Sequence, residues 1–295
     1  MDNKNISVVV TTFNGSKYIE KQIDSILKQT VQPQEIIICD DMSTDGTATI
    51  LKKYEDNKRV KVLVNDAQLG VVRNFKKAAS LTQKGNYIAF ADQDDIWIPN
   101  KLQTLVATLE KIDDGQKPTL VFSDLTIIDK NDLVIAPSFW DKQQMQPQKV
   151  NLNRMLFGNI VTGCTMMINH AMKLEFLDMD NYNFLHDEWI TLIAYSFGKV
   201  NFTNDKLVLY RQHESNVTYA ETIPVPNRWS RLKDDIDYAL KRKHFLKHQF
   251  SLANSFLKKY HNELSNDQLT TIKNFIKLEG RNYLLQRIKR RNAHL

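Results

Sequence analysis

Apolar, β-branched segments alternate with segments of helical periodicity along the first hundred residues. Residues 6–10 form a run that is apolar and β-branched apart from Ser7, which is typical of a strand covered on both faces. Residues 16–29 repeat apolar side chains at a helical spacing. The same alternation predicts strands at 35–39, 60–64 and 87–91, and helices at 47–54, 72–81 and 100–112, the last opened by Pro99. Strand and helix in turn, joined by short links, predict a doubly wound α/β fold with a mostly parallel sheet.

The pattern changes after residue 119. Short strands are predicted at 120–123, 126–129, 133–135, 164–168 and 206–210, with a helix at 188–197. Pro224 and Pro226 mark a boundary, and the residues beyond it are helical in composition, with Gly280 as their only glycine. We therefore expect an α/β domain at 1–223 and a helical extension at 224–295.

Composition and charge add further constraints. Hydrophobic residues make up 42% and charged residues 25% of the chain, which are ordinary values for a globular protein. The two cysteines lie far apart, no apolar leader precedes residue 6, and no apolar run is long enough to span a bilayer, so we expect a cytoplasmic protein. The charge is uneven: residues 227–295 hold 16 Lys and Arg against 6 Asp and Glu, whereas residues 1–226 hold 24 against 28.

Polar side chains follow three of the predicted strands. They occupy residues 11–15 (Thr-Thr-Phe-Asn-Gly), 40–47 (Asp-Asp-Met-Ser-Thr-Asp-Gly-Thr) and 92–95 (Asp-Gln-Asp-Asp). The carboxyl ends of parallel strands share one edge of a sheet, so these groups are expected to border one crevice. Carboxylates crowded there need hydrogen-bond donors or a cation, and oxygen ligands suit Mg²⁺ or Mn²⁺. A solvated, Asp-rich turn is the alternative interpretation of residues 92–94.

Taken together, the three segments resemble glycosyltransferase family 2, whose members are inverting enzymes with the GT-A fold. The resemblance covers roughly residues 5–215 and is strongest to rhamnosyltransferase-like members, because residues 210–216 also match their Tyr-Arg-x-His-x-x-Asn segment. It implies a GT-A domain at 1–223, with a nucleotide-binding half at about 1–115 and an acceptor-binding half at about 116–223. It also implies transfer of a sugar from a nucleoside-diphosphate donor to an acceptor hydroxyl.

The resemblance assigns residues to the donor and to a divalent cation. Asp40 would accept a hydrogen bond from the pyrimidine N–H, Asp41 would lie near the base or ribose, and Arg73 and Arg211 would contact the diphosphate. The donor-binding set is Thr11, Phe13, Asn14, Asp40, Asp41, Arg73, Asp92, Gln93 and Arg211, and the metal ligands are Asp92, Asp94 and His213. Alternatively, Asp40 and Asp41 form an acidic helix N-terminus, Arg73 is a surface arginine, and His213 contacts a phosphate or is structural.

The resemblance also assigns the acceptor side. Residues 186–189 (His-Asp-Glu-Trp) resemble the segment that supplies the catalytic base, and Asp187 is the candidate, with Glu188 as a weaker one. Apolar neighbours are expected to raise the pKa of Asp187, although it could simply cap the following helix. The acceptor-binding set is Asn159, Gly163, Cys164 and Trp189. A small residue at 163 would admit the sugar closely, but a tight core turn would explain it equally well.

The basic C-terminal region predicts partners of a second kind. Its clusters at 241–243, 258–259 and 289–291 are interleaved with aromatic and aliphatic residues, as in helices that lie on an anionic membrane. A packed helical appendage or a contact between two copies is the alternative, and nucleic-acid binding is not expected. The expected donor is dTDP-rhamnose or a UDP-hexose, and the expected acceptor is a surface polysaccharide or lipid-linked oligosaccharide at the inner face of the plasma membrane. Rival hypotheses are a non-catalytic nucleotide-sugar binder and a phospho-acceptor signalling domain.

Overall fold

A computed structural model describes residues 5–180, 183–214 and 246–294. The strands are β1 Ile6–Thr12, β2 Glu35–Asp40, β3 Val60–Val64, β4 Tyr87–Ala91, β5 Ile96–Trp97, β6 Thr119–Ile128, β7 Val134–Ala136, β8 Met167–Ile168 and β9 Lys199–Arg211. The first eight helices are α1 Ile19–Leu27, α2 Thr47–Lys52, α3 Val71–Ser80, α4 Lys101–Glu110, α5 Phe139–Gln143, α6 Leu152–Leu156, α7 His170–Leu177 and α8 His186–Phe197. Three more follow: α9 Lys247–Tyr260, α10 Asn266–Ile276 and α11 Tyr283–His294. Short 3₁₀ turns occur at Pro147–Lys149 and Gly163–Thr165.

The strands form one mixed sheet in the order β3-β2-β1-β4-β8-β6-β9-β5, with β7 paired to β6. The first four strands are parallel, as predicted, and all seven residues of β1 are buried. The sheet then changes direction, because β8 runs antiparallel to both β4 and β6. The prediction of an α/β fold with a doubly wound sheet is confirmed, while the half that follows β4 is mixed.

Four predicted elements differ from the structure. The strands expected at 120–123 and 126–129 are a single strand, β6. Asp124 does not interrupt it, because its buried carboxylate accepts hydrogen bonds from Ser138 Oγ (2.6 Å) and Trp140 N (3.1 Å). The strand expected at 164–168 shrinks to β8, since Gly163–Thr165 forms a 3₁₀ turn. Helix α4 begins at Lys101, so Pro99 precedes the helix instead of occupying its first position.

The chain divides into two compact units. Of the described residues, the first unit holds 5–147 and 159–211, and the second holds 148–158, 212–214 and 246–294. The second unit is helical, as expected for the extension. Phe275 packs edge-on against Phe157 and obliquely against Phe250, each at 4.9 Å between ring centroids. The predicted boundary at Pro224 and Pro226, and the basic cluster 241–243, lie outside the described residues. No helix within the described part of the chain has the length and apolarity needed to cross a membrane.

Candidate active site

The ends of β1 and β4 are joined by the side chain of Gln93. Its Oε1 accepts hydrogen bonds from Thr12 Oγ1 (2.7 Å) and from Phe13 N (2.8 Å), and its Nε2 donates to Phe13 O (3.1 Å). An amide suits this position because it both donates and accepts, which a carboxylate cannot do. The Phe13 ring remains 45% exposed, whereas Thr11 is buried in β1. Gln93, predicted to touch the donor, therefore fixes the strand end that carries Phe13.

The end of β1 is also joined to the loop after β2. Asn14 has a left-handed backbone (φ 50°), which Asn tolerates better than most residues. Its backbone N–H donates to Ser43 Oγ (2.8 Å), and its Oδ1 accepts from Thr44 N (2.9 Å). Thr12 and Asp40 are register partners in the parallel β1–β2 pair. The predicted convergence of the three polar strand ends on one edge of the sheet is confirmed.

Asp40 and Asp41 are both buried but have different surroundings. The Asp40 carboxylate accepts hydrogen bonds from the backbone N–H and the hydroxyl of Ser43. The Asp41 carboxylate accepts three, from Asn65 Nδ2 (2.7 Å), Leu69 N (2.7 Å) and Gly70 N (2.8 Å). Asp41 thus holds the loop that leads into α3, where Gly70 adopts a positive φ of 75°. A contact of either carboxylate with a nucleoside stays a prediction.

Arg73 lies in the first turn of α3, and its side chain is exposed. The helix begins directly after the loop that Asp41 holds, so the position of Arg73 depends on that anchor. A guanidinium is a suitable donor to an anionic ligand. Its contact with the diphosphate stays a prediction.

Acidic side chains gather directly after β4. Burial, followed by the charge of Asp94, raises the pKa of Asp92 to about 7, although Lys101 opposes the shift. Burial and then the charges of Asp94 and Asp92 raise the pKa of Asp95 well above its usual range. Within the described ranges, one group of potential ligands has its atoms within 4.8 Å of one another, and it consists of Asp92, Asp95 and Cys164. This grouping shares Asp92 with the predicted set and adds Asp95 and Cys164, while ligation by Asp94 stays a prediction. His213 belongs to the second unit, and its predicted role in metal binding stays a prediction.

Arg211 is fully buried, which argues against the predicted contact with a diphosphate. Its Nε donates to the main-chain carbonyl of Asp94 (2.8 Å), and one terminal nitrogen donates to Asp129 O (3.0 Å) and pairs with Asp132. The guanidinium also lies over the Tyr18 ring, 4.6 Å from its centroid. Arg211 is better explained as the residue that holds the Asp94 backbone at the end of β9. The last two residues of its motif, Ser215 and Asn216, lie outside the described residues.

Lys101 is a functional candidate that the sequence pattern missed. It is the first residue of α4, a position where a lysine is ordinarily solvated, yet its side chain is fully buried. Its Nζ donates to the Cys164 carbonyl (2.5 Å) and lies over the Trp97 ring, 3.4 Å from the centroid. Burial lowers the pKa of Lys101 to about 7, opposed by Cys164, Asp95 and Asp92. The acidic run that ends shortly before α4 was the only signal in the sequence.

Asp187 lies at the start of α8, within electrostatic reach of the acidic cluster. Burial raises its pKa to about 7, with smaller contributions from Glu188 and Asp92 that outweigh the hydrogen bond accepted from Glu188 N. The pKa of Asp187 is therefore shifted in the predicted direction. Leu185, not Asp187, occupies the N-cap position, and its backbone N–H is bound by the Glu188 carboxylate (3.0 Å). The alternative that Asp187 caps the helix is therefore wrong, and Glu188 has that structural task.

Gly163 lies against the ring of His186, the residue before the candidate base. A methyl group at position 163 would be 2.8 Å from His186 Nε2. His186 is itself buried among Phe75, Phe90 and Phe176, and burial lowers its pKa to about 3, so the ring is neutral. Close approach of a protein ring accounts for the glycine, in place of the predicted approach of a sugar.

The other predicted acceptor residues are buried in the core or close a local turn. Trp189 is fully buried and stacks on Phe184 with 6.4 Å between ring centroids, so it belongs to the core rather than to an acceptor surface. Asn159 closes a local turn with both the N–H and the carbonyl of Val161. Cys164 is buried, and burial together with Asp95 and Asp92 raises its pKa well above the usual range. Its thiol therefore stays protonated, which makes it a poor ligand for a hard cation.

Comparisons with known proteins agree with this geometry. Residues 7–170 match the model of the family described as Glycosyl transferase family 2. The chain is 26% identical over 253 residues to the UDP-Glc:alpha-D-GlcNAc-diphosphoundecaprenol beta-1,3-glucosyltransferase WfgD of Escherichia coli, covering 83% of this chain and 92% of that protein. It is 28% identical over 251 residues to the dTDP-rhamnosyl transferase RfbG of Shigella flexneri, covering 75% and 81%. The fold is similar to that of S. aureus TarS 1-349 in complex with UDP-GlcNAc, with a TM-score of 0.58, 18% identity and coverage of 98% and 89%.

Proposed function

This chain belongs to glycosyl transferase family 2, and we propose that it moves a hexose from dTDP-rhamnose or a UDP-sugar to a glycan hydroxyl with inversion, using a divalent cation. The observation that carries the proposal is the convergence of Phe13, Asp40 and the Asp92–Asp95 run on one sheet edge, within electrostatic reach of Asp187. The two donor classes come from the relatives, which are described as using UDP-glucose and dTDP-rhamnose.

The residues after β4 fit a hard cation. The charge of Asp94 raises the pKa of Asp92, and positive charge placed between two such carboxylates relieves their repulsion. Mg²⁺ or Mn²⁺ would be held by the carboxylates of Asp92 and Asp94, with Asp95, which lies within 4.8 Å of the Asp92 carboxylate and accepts the Arg211 N–H, as a further oxygen ligand. When bound, the ion would neutralise charge on the diphosphate leaving group.

Asp187 is proposed to act as the base. Its carboxylate accepts the proton of the acceptor hydroxyl while that oxygen forms a bond to the anomeric carbon of the donor sugar. The bond from the anomeric carbon to the diphosphate breaks, and the nucleoside diphosphate leaves with the electron pair. A pKa raised to about 7 suits this task, because the carboxylate is then a stronger base than an exposed aspartate.

The acceptor is proposed to be a surface polysaccharide or a lipid-linked oligosaccharide, reached by peripheral contact of the helical extension with an anionic membrane. Helix α11 exposes Leu284 (63%) and Ile288 (46%), and Lys289 and Arg291 lie on the same helix, which has no acidic residue. Such a face suits the interface of an anionic bilayer. Leu284→Ser with Ile288→Ser is expected to reduce sedimentation with phosphatidylglycerol vesicles. Unchanged sedimentation, or loss of a dimer in size-exclusion chromatography, would contradict the membrane proposal.

A thermal-shift panel of dTDP- and UDP-sugars, each with and without Mn²⁺, tests the proposed function. One donor is expected to stabilise the protein only in the presence of the metal. Asp94→Ala should abolish that metal-dependent shift, whereas Asp187→Ala should keep it and lose sugar transfer. A thermal shift that is the same with and without Mn²⁺ would refute the role of the cation in donor binding. Sugar transfer by Asp187→Ala at the native rate would refute the assignment of Asp187 as the base.

A further inference from the structure

The buried ammonium of Lys101 connects two parts of the site. Its Nζ donates to the main-chain carbonyl of Cys164 in the Gly163–Thr165 turn, and its side chain starts from α4, just after the acidic run. A single lysine therefore spans from the metal-binding loop to the turn that packs beside His186 and Asp187.

The ionised side chains that act on the Lys101 ammonium are mainly carboxylates. The charges of Asp95 and Asp92 act on it, and the Trp97 ring offers it the negative face of a π system, with Nζ 3.4 Å from the ring centroid. Asp95 also accepts the Arg211 backbone N–H at 3.0 Å, which is neutral. Lys101 is thus a buried, positively charged side chain on which the charges of Asp95 and Asp92 act. A buried charge is costly unless it is paired, so a lysine at this position is explained by the carboxylates it faces.

We propose that Lys101 is a positioning residue whose charge, held beside Asp92 and Asp95 by the hydrogen bond to Cys164 O, offsets the repulsion of these carboxylates when no divalent cation is bound and fixes the turn at Cys164. The inference rests on the proposed function only in taking the Asp92 loop as the cation site. Binding of the cation then adds positive charge to a cluster that Lys101 has already assembled, so the loop is formed before the metal and donor arrive.

The test uses Lys101→Met, which keeps the length of the side chain and removes the charge. Melting temperature is measured for the whole protein with no divalent ion and with saturating Mn²⁺. Without metal the variant is expected to melt about 10 °C lower than the native protein, because two buried carboxylates lose their counter-charge. With Mn²⁺ most of that loss should be recovered, so the metal-induced shift exceeds the native one. The Mn²⁺ concentration that gives half of the shift should fall about tenfold.

Lys173→Met is the matched control. Lys173 is also a buried lysine, 4% exposed, and its Nζ donates to Thr82 O and Oγ1, both at 2.8 Å, away from the acidic run. Its replacement should lower the melting temperature equally with and without Mn²⁺. If Lys101→Met behaves in this way too, Lys101 has a merely structural role and the proposal is overturned.

The double variant Lys101→Met with Asp95→Asn covers the case in which the single variant does not fold. It removes one positive and one negative charge together, and the carbonyl oxygen of the introduced asparagine retains the capacity to accept the Arg211 N–H. The double variant is expected to fold and to melt close to the native temperature. A double variant that is no more stable than Lys101→Met would overturn the proposal.

The two proposals can fail separately. If the native protein transfers sugar while Mn²⁺ shifts no melting temperature, the role of Lys101 is refuted and the transferase stands. If the native protein transfers no sugar but Lys101→Met shows the enlarged Mn²⁺ shift, the proposed function fails and the role of Lys101 is supported.

Discussion

Replacing Asp187 with asparagine removes the proposed base and relieves a buried charge in one step. Asparagine has nearly the same volume and its carbonyl oxygen still accepts the Glu188 N–H. The pKa of Asp187 rises from 3.8 to about 7, so ionising it in the folded protein opposes folding. That shift corresponds to at most ~4 kcal/mol at a pH above both values. Local relaxation and water reduce it, so we expect Asp187→Asn to gain about 1–2 kcal/mol at pH 8.

The stability difference between Asp187→Asn and the native protein should depend on pH. A carboxyl group whose pKa is raised in the folded state favours folding while it is protonated. That advantage is lost as pH rises from about 4 to about 7. The stability gained by Asp187→Asn should therefore be near zero at about pH 4, grow through this window and stay constant above it. Chemical unfolding of both proteins across the range measures the difference, which amounts to about 3–5 °C in melting temperature at pH 8.

The substitution that stabilises the protein at pH 8 should reduce sugar transfer. The native kcat/KM is expected to rise with pH through about 7 as Asp187 loses its proton, and Asp187→Asn should lower kcat about 10²–10⁴-fold. Glu188→Gln is the matched control, because glutamine keeps the hydrogen bond to Leu185 N and removes a charge that raises the pKa of Asp187. It should retain transfer and move the pH midpoint lower. Transfer by Asp187→Asn within tenfold of the native rate, or a loss of stability at pH 8, would refute the reasoning.

Two further substitutions test the framework of the site. Gln93→Ala removes the three hydrogen bonds to Thr12 and Phe13, so the donor KM should rise about tenfold with kcat little changed; an unchanged KM in steady-state kinetics contradicts this. Gly163→Ala puts a methyl group 2.8 Å from His186 Nε2 and should cost about 1–3 kcal/mol in unfolding free energy. In the background of His186→Ala that cost should largely vanish, and equal costs in both backgrounds would exclude the clash.

The parallel half of the fold could be predicted because its signals are local. The runs at β1, β2 and β4 are predominantly apolar, and polar residues occupy or follow the end of each, so the convergence of three strand ends follows from topology alone. The mixed half of the sheet was harder to predict from the sequence. A buried aspartate within β6 looks like a break until its partners Ser138 and Trp140 are known, and these lie 14 and 16 residues away.

The roles of individual site residues depended on contacts that sequence spacing does not reveal. Gln93 bonds to a residue 80 positions away, and Lys101 to one 63 positions away. Arg211 and Trp189 matched a family motif, but a motif does not show whether a side chain faces a ligand or the core, and both are fully buried. Asp187 could be chosen as the candidate base because residues 186–189 match a family segment, and the direction of its pKa shift could be predicted from the apolar residues at 184, 185 and 189.

The loop before α3 is fastened by Asp41 through one side-chain and two backbone hydrogen bonds. Its conformational entropy has therefore been lost during folding, not on encounter with a ligand. The nucleotide proposed to bind beside this loop would meet a preorganised surface, so its association should follow simple bimolecular kinetics in stopped-flow measurements. Releasing the loop with Asp41→Ala would add a slow, concentration-independent phase, as the chain then has to order itself around each incoming molecule.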